Sequence, residues 1–197
     1  MKMVVFGATG MIGTRIATEL ERHAHAVTAA TRATGADVTD PQSVASVAAG
    51  ADAVVSAVSA RGVSYTLADI APPLVEGLRE AGMRRLLVVG GAGSLEVAPD
   101  KRLLDTPDFP EEWKPEAIAQ SEALDYYRGV EDLDWTFVSP AAFIHPGERT
   151  GRYRLGGDQL LVDDNGNSEV SAEDYAIAIA DLLEHGGHER ERITVAR

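Results

Sequence analysis

The segment Val4-Val5-Phe6-Gly7-Ala8-Thr9-Gly10-Met11-Ile12-Gly13 constrains this chain more than any other. An apolar run stops at a glycine, two further glycines follow at three-residue steps, and a helical pattern begins at once. This is the signature of a strand, a tight turn and a helix N-terminus. The first glycine permits the turn, the second lets a ligand approach the backbone, and the third lets helix and strand pack closely. Free N–H groups at the helix start, aided by the helix dipole, then favour a bound phosphate. A glycine triplet alone is a weak signal, and its place between strand and helix is what gives it weight.

The remaining elements alternate. Strands are expected at residues 2–6, 26–31, 51–58, 86–89, 135–138 and 192–196. Helices are expected at 11–22, from Pro41, and at 65–81, 115–128 and 171–184. Asp40 is placed to cap the helix that Pro41 opens, and Ser171-Ala172-Glu173-Asp174 resembles a capping box. A small hairpin is expected around 153–162. Such alternation predicts an α/β fold, a Rossmann-like doubly wound parallel sheet with helices on both faces. Right-handed crossovers bring the loops after the strands to one edge, where ligands bind. The chain of 197 residues reads as one domain, 1–197, with 141–168 as a small substrate-side insertion.

With 31 acidic against 18 basic residues, the net charge of −13 argues against nucleic-acid or anionic-membrane partners. There is no cysteine, which removes disulfides, thiol nucleophiles and cysteine metal sites. No apolar run is long enough for a membrane span, and no signal peptide is apparent, so the expectation is a cytoplasmic protein. A homodimer is compatible with all of this.

Arg32 ends the second strand in Ala30-Thr31-Arg32-Ala33-Thr34. NAD sites usually carry an acid there for the ribose 2′-hydroxyl, whereas an NADP site needs a cation for the 2′-phosphate. Arg32 therefore points to NADP (NADPH) over NAD, the alternative being a solvated arginine. Asp37 is placed to accept from the adenine amino group, or is a plain loop carboxylate. Carbonyl reduction by a short-chain dehydrogenase uses Tyr-x-x-x-Lys. Here Tyr65, Tyr126, Tyr127, Tyr153 and Tyr175 are followed at that spacing by Asp69, Val130, Glu131, Gly157 and Ile179. Without that acid, hydride transfer to a flavin or quinone fits better, since the acceptor takes its proton from solvent.

No catalytic residue is assigned, and Ser94 and Tyr153 are weak candidates only. The long segment 92–114 leaves the fourth strand at the ligand edge. Phe109 and Trp113 give it apolar surface to lay over a planar ring, opposite residues 141–143. The alternative is a surface loop anchored by Trp113. His185 and His188 flank two glycines and read as a helix terminus rather than a metal site, and no metal is expected. His23 and His25 read as solvated. Arg149, Arg152 and Arg154 either meet an anionic ligand or pair with Glu148 and Asp158.

The glycine motif resembles that of atypical short-chain dehydrogenases. Leu86-Leu87-Val88-Val89-Gly90-Gly91-Ala92-Gly93-Ser94-Leu95, Ser139-Pro140-Ala141-Ala142-Phe143, Pro146-Gly147-Glu148-Arg149-Thr150-Gly151 and Ser171-x-Glu173-Asp174-Tyr175-Ala176-Ile177-Ala178 are similar to one subgroup, the NADH-flavin reductases. Biliverdin reductase B and NmrA-type regulators look like more distant relatives. The resemblance implies cofactor contacts at Gly7, Ala8, Thr9, Gly10, Met11, Ile12, Gly13, Arg32, Asp37, Val38, Ser56, Ala57, Val58 and Gly90. It places the nicotinamide side at Ser139, Pro140, Ala141, Ala142 and Phe143, with Phe143 also on the substrate. It implies an NAD(P)H-dependent reductase acting on a small-molecule acceptor, with FMN or FAD as candidate substrates. The competing readings are a non-catalytic NADP(H) sensor of the NmrA type and a tailoring ketoreductase or isomerase with an unusual acid.

Overall fold

The computed structural model describes all of residues 1–197. In chain order the regular elements are β1 (Lys2–Phe6), α1 (Met11–Arg22), β2 (Ala26–Ala30), α2 (Pro41–Ala48), β3 (Ala53–Ser56), α3 (Leu67–Glu80), β4 (Arg85–Val89), β5 (Glu96–Ala98), β6 (Lys101–Arg102), α4 (Lys114–Arg128), β7 (Asp134–Pro140), β8 (Phe143–His145), β9 (Arg154–Gly156), β10 (Glu169–Ser171), α5 (Ala172–His185) and β11 (Glu191–Ala196). Seven strands form the central sheet in the order β2-β1-β3-β4-β7-β11-β9. All pairings are parallel except that of β9 with β11. This is the Rossmann-like α/β architecture expected.

The two-residue alternation of each strand sorts its side chains between two cores. Val4, Phe6, Val54, Leu86, Val88, Trp135 and Phe137 face α2, α3 and α4. Met3, Val5, Val55, Leu87, Val138 and Ile193 face α1 and α5. Both faces are covered, which is why the strands read as nearly continuous apolar runs. Chain direction reverses between β1 and β3: β1 leads outward to β2, while β3 leads the other way to β4. That switch point opens a crevice at the strand C-termini.

Two expectations need correction. Residues 153–162 do not form a hairpin. β9 instead pairs antiparallel with β11, and β8 pairs in parallel with β10 in a separate two-stranded sheet. The reason is that the segment after β9 has a better partner elsewhere. Glu96 N–H donates to the Asp158 carbonyl and Leu160 N–H to the Glu96 carbonyl, at 2.9 and 2.8 Å. The motif opening α5 is also only half a capping box. The Ser171 hydroxyl accepts from Asp174 N–H, but the Asp174 carboxylate is engaged by residues 150 and 151.

Candidate functional site

The turn after β1 is shaped by backbone contacts alone. Gly7 lies at φ +77°, and a Cβ there would sit 2.4 Å from the Ala57 carbonyl oxygen of the neighbouring turn. A Cβ on Gly13 would meet the Gly7 carbonyl at 2.1 Å, so the first turn of α1 can approach β1 only as glycine. Gly10 differs. Its φ is an ordinary −72°, and a Cβ would only be tight, at 3.3 Å from Gly7 O. Its open side is where a phosphate would approach. No side chain caps α1 or α4, whereas Asp40, Thr66 and Ser171 cap α2, α3 and α5. The leading N–H groups of α1 are thus left for a ligand. The Thr14 hydroxyl braces the turn by donating to the Ala8 carbonyl at 2.9 Å.

A cleft of ≈ 550 Å³ lies at the switch point. It brings together Gly7, Thr9, Gly10, Arg32, Asp37, Val38, Ala57 and Val58, which come from the turns after β1, β2 and β3. Ala8, Ile12, Gly13 and Ser56 support this cleft from behind rather than line it, and Met11 sits exposed at the start of α1. Arg32 does not end β2. It opens a single 3-10 turn, Arg32–Thr34, closed by Gly35 at φ +82° and containing no acidic residue. Arg32 is an exposed residue and pairs with no carboxylate. The Asp37 carboxylate is partly committed. One oxygen accepts from the Thr39 hydroxyl and backbone N–H at 2.7 and 2.8 Å, and these bonds hold its pKa below the ordinary range. Among the lining residues that escaped the sequence reading, Arg61 and Tyr65 carry polar side chains large enough to reach across the cleft. Their position after β3 was the available signal. Arg61 pairs with Glu116 at the start of α4, at 3.0 Å.

Gly90 and residues 139–143 lie outside that cleft, at the adjacent ends of β4 and β7. Gly90 N–H donates to the Val138 carbonyl at 2.8 Å, and a Cβ on Gly90 would strike the Phe137 ring. Ser139, Pro140 and Ala141 are buried. Phe143 is 57 % exposed and stacks on His145 at a centroid distance of 4.9 Å. The backbone here is fixed by Ser168, whose hydroxyl and carbonyl accept from the N–H groups of Ala142 and Phe143, both at 3.0 Å.

The long segment 92–114 divides in two. Its first part covers the face of the sheet beyond α4, beside β11 and β9. Leu95 and Leu104 are buried there, and buried Arg192 of β11 donates to both the carbonyl and the hydroxyl of Ser94. Ser94 is thus occupied in holding Arg192, which also pairs with Asp158. Only the second part, with Phe109 and the half-exposed Trp113, leads back to the sheet edge at the start of α4.

Tyr153 also sits away from the cleft. Its hydroxyl donates to Asp181 on α5, and burial together with that carboxylate raises its pKa far above the ordinary value. Tyr175 donates to the Val138 carbonyl inside the core. The arginine expectations change as well. Arg149 pairs with Glu19 of α1, at 2.5 and 2.9 Å, and Arg154 donates to the carbonyls of Val162 and Arg197. His23 and His25 are not free in solvent, for both meet Glu184, at 2.9 and 2.7 Å. The string Pro146–Gly151 is a strap across α1 and α5. Besides Arg149 on Glu19, Gly147 N–H donates to Glu173, and the N–H groups of Thr150 and Gly151 donate to Asp174.

Residues 7–186 match the family model described as NAD(P)H-binding. The chain belongs to that family. Among its relatives, the uncharacterized protein YwnB of Bacillus subtilis is 41% identical over 210 residues, covering 99% of this chain and 98% of YwnB. A Burkholderia pseudomallei structure with the provisional name of exported protein is 50% identical with a TM-score of 0.93, covering 100% of this chain and 99% of that one. A Streptococcus pneumoniae structure with the provisional name of NADH-flavin reductase is 38% identical with a TM-score of 0.86, again covering 100% and 99%. For a member of the NAD(P)H-binding family the glycine turn, the uncapped α1 and the switch-point cleft form a consistent set: the residues present fit a dinucleotide. No helix is long and apolar enough to cross a membrane, and no group of three or more acidic or histidine side chains is arranged to hold a metal ion.

Proposed function

We propose that this protein is an NADPH-preferring reductase that delivers hydride to a flavin or a related planar acceptor. The observation that carries the reading is Arg32, an exposed cation without an acidic neighbour in its turn, on the wall of the cleft that begins at the glycine turn. A 2′-phosphate needs a counter-charge at this point of the fold, and a free 2′-hydroxyl does not. The dinucleotide, when bound, supplies the hydride. Gly7 to Gly13 receive the pyrophosphate on backbone N–H groups, Arg32 takes the 2′-phosphate, and Val38 lies against the adenine. The strand ends at Gly90 and Ser139–Phe143 receive the nicotinamide. Residues 141–168 serve as the substrate-side portion of the single domain, with Phe143 on one side of the acceptor and Phe109 and Trp113 on the other. The acceptor gains the hydride and a proton from solvent, so no protein acid is required. The provisional name of the Streptococcus pneumoniae relative supports the acceptor class. The exposure of Phe143 and Trp113 supports an open acceptor surface over a closed sensor.

The test is the charge at position 32. Arg32→Ala removes a charge-assisted contact worth about 1.5–3 kcal/mol. It should weaken NADPH binding by roughly tenfold or more and leave NADH almost unchanged, as read by calorimetric titration of both cofactors. Equal losses for the two would make Arg32 an adenine-stacking or structural residue.

A further inference from the structure

Two buried side-chain atoms in the whole chain find no hydrogen-bond partner, Gln120 Oε1 and Ser139 Oγ. A buried polar atom left unpaired keeps its full desolvation cost, so such atoms are rare and ask for a reason. These two do not lie at random. Ser139 follows Trp135 and Phe137 at two-residue steps along β7, and both of those face α4. Ser139 therefore points to the α4 side, one residue beyond Val138, which pairs with Val89 at the end of β4. Gln120 comes to the same edge from α4. A Cβ built on Gly91, the second residue after β4, would lie 2.2 Å from Gln120 Oε1.

The place of Gln120 on its helix sharpens the point. Trp113, Ala117, Gln120, Leu124 and Tyr127 follow one another at steps of four and three, which is one stripe of a helix. Leu124 and Tyr127 are core residues, and Ala117 meets the turn at Gly93. At position 120, beneath Gly91, the stripe interrupts its apolar pattern with an amide. Gln120 is half-buried, with its Oε1 enclosed against Gly91 and left without a partner.

We propose that Gln120 and Ser139 form a recognition point for an amide or imide edge, that is, adjacent N–H and C=O groups on a planar ring docked at the ends of β4 and β7. This rests on the reductase reading above and identifies what that site grips. The terminal torsion of glutamine is soft, so its amide can turn from Gly91 toward a ligand at little cost. Its carbonyl oxygen then accepts from the ligand N–H, while its NH₂ and the Ser139 hydroxyl supply donors for the ligand carbonyl. Two partners carry that edge: the carboxamide of the nicotinamide ring and the imide of an isoalloxazine. A simple quinone offers no N–H and satisfies only half of it.

Gln120→Leu and Ser139→Ala separate this role from a packing role. Removing an unpaired buried polar group should leave the denaturation midpoint unchanged or raised. Ligand recognition should fall by about five- to tenfold, the scale of one lost hydrogen bond. If the nicotinamide is the partner, NADPH affinity drops while that of 2′-phospho-ADP-ribose, which lacks the ring, is unchanged. If the isoalloxazine is the partner, the KM for FMN rises, NADPH affinity holds, and the KM for a quinone changes less. Parent-like NADPH affinity and FMN KM in both variants overturn the proposal, as does a clear fall of the midpoint in both, which would make the groups structural. The reductase reading fails separately, if the unsubstituted protein binds neither NADPH nor 2′-phospho-ADP-ribose.

Discussion

The strand ends on either side of β3 are built by different means. Around β1 and β2 the surface is made of backbone. Gly7 and Gly13 exclude any side chain, Gly10 leaves space, and two exposed cations, Arg32 and the Glu116-paired Arg61, add charge. Around β4 and β7 it is made of side chains and loops brought from far apart. Gln120 comes from α4, Phe143 is fixed by Ser168, and the strap at 146–151 is tied to Glu19, Glu173 and Asp174. The first region leaves little room for a side chain to vary without moving the turn. The second can change its ligand by changing side chains and leave the sheet intact. On this account the cofactor and the acceptor occupy opposite ends of one edge.

The comparison breaks most sharply at the glycines. Gly10→Val should abolish dinucleotide binding and leave the protein folded, because its φ is an ordinary −72° and the one near backbone atom, Gly7 O, lies at a tight but tolerable 3.3 Å. Gly7→Ala should cost stability first, by several kcal/mol, since it strains a positive φ and drives two turns apart. Calorimetry and urea denaturation on the two variants separate these effects. Gly10→Val that binds as well as the parent would remove the cradle. On the other side, Trp113→Ala should raise the acceptor KM several-fold, in line with loss of a partly exposed aromatic contact, and leave NADPH affinity nearly unchanged. A matching loss of NADPH affinity would merge the two regions into one.

A smaller effect lies at the opposite edge of the sheet, where His23 meets Glu184 and Glu19. Its hydrogen bond to Glu184 raises its pKa above the ordinary 6.5. The charged form is favoured by folding, so this stabilisation is complete below about pH 6.5 and is lost as pH rises through the raised value. His23→Gln should flatten that decline by a few tenths to about 1 kcal/mol in pH-dependent denaturation, with cofactor affinity unaffected. Glu19 acts in the other direction. Its bond from Arg149 lowers its pKa, and that contribution disappears only as pH falls through the lowered value.

What the sequence revealed divides along the same line. The strand at 2–6 and the helix at 11–22 were legible to the residue, because their determinants are local. So was the cap at Asp40. The hairpin expected at 153–162 failed because β9 finds its partner in β11, about forty residues on, and no local pattern records that. The Arg149–Glu19 pair spans 130 residues, which is why Glu148 looked the nearer partner. Ser94 was only a weak catalytic candidate from its place after β4, and its hydroxyl is claimed by Arg192 near the end of the chain. Gln120 gave no signal, since one amide in a helix becomes notable only once its surroundings are known to be buried.

The most direct measurement is the oxidation of NADPH followed by its absorbance, with FMN, FAD, quinones and carbonyl compounds as acceptors in turn. The account predicts turnover with flavins, slower turnover or none with carbonyls, and rates that stay within a few-fold when Tyr126, Tyr127, Tyr153 or Tyr175 singly becomes phenylalanine. Tight NADPH binding with no turnover on any acceptor would contradict it in favour of a sensor. Carbonyl reduction that falls about a hundredfold or more in one tyrosine variant, the scale of a lost general acid, would contradict it in favour of acid-assisted chemistry.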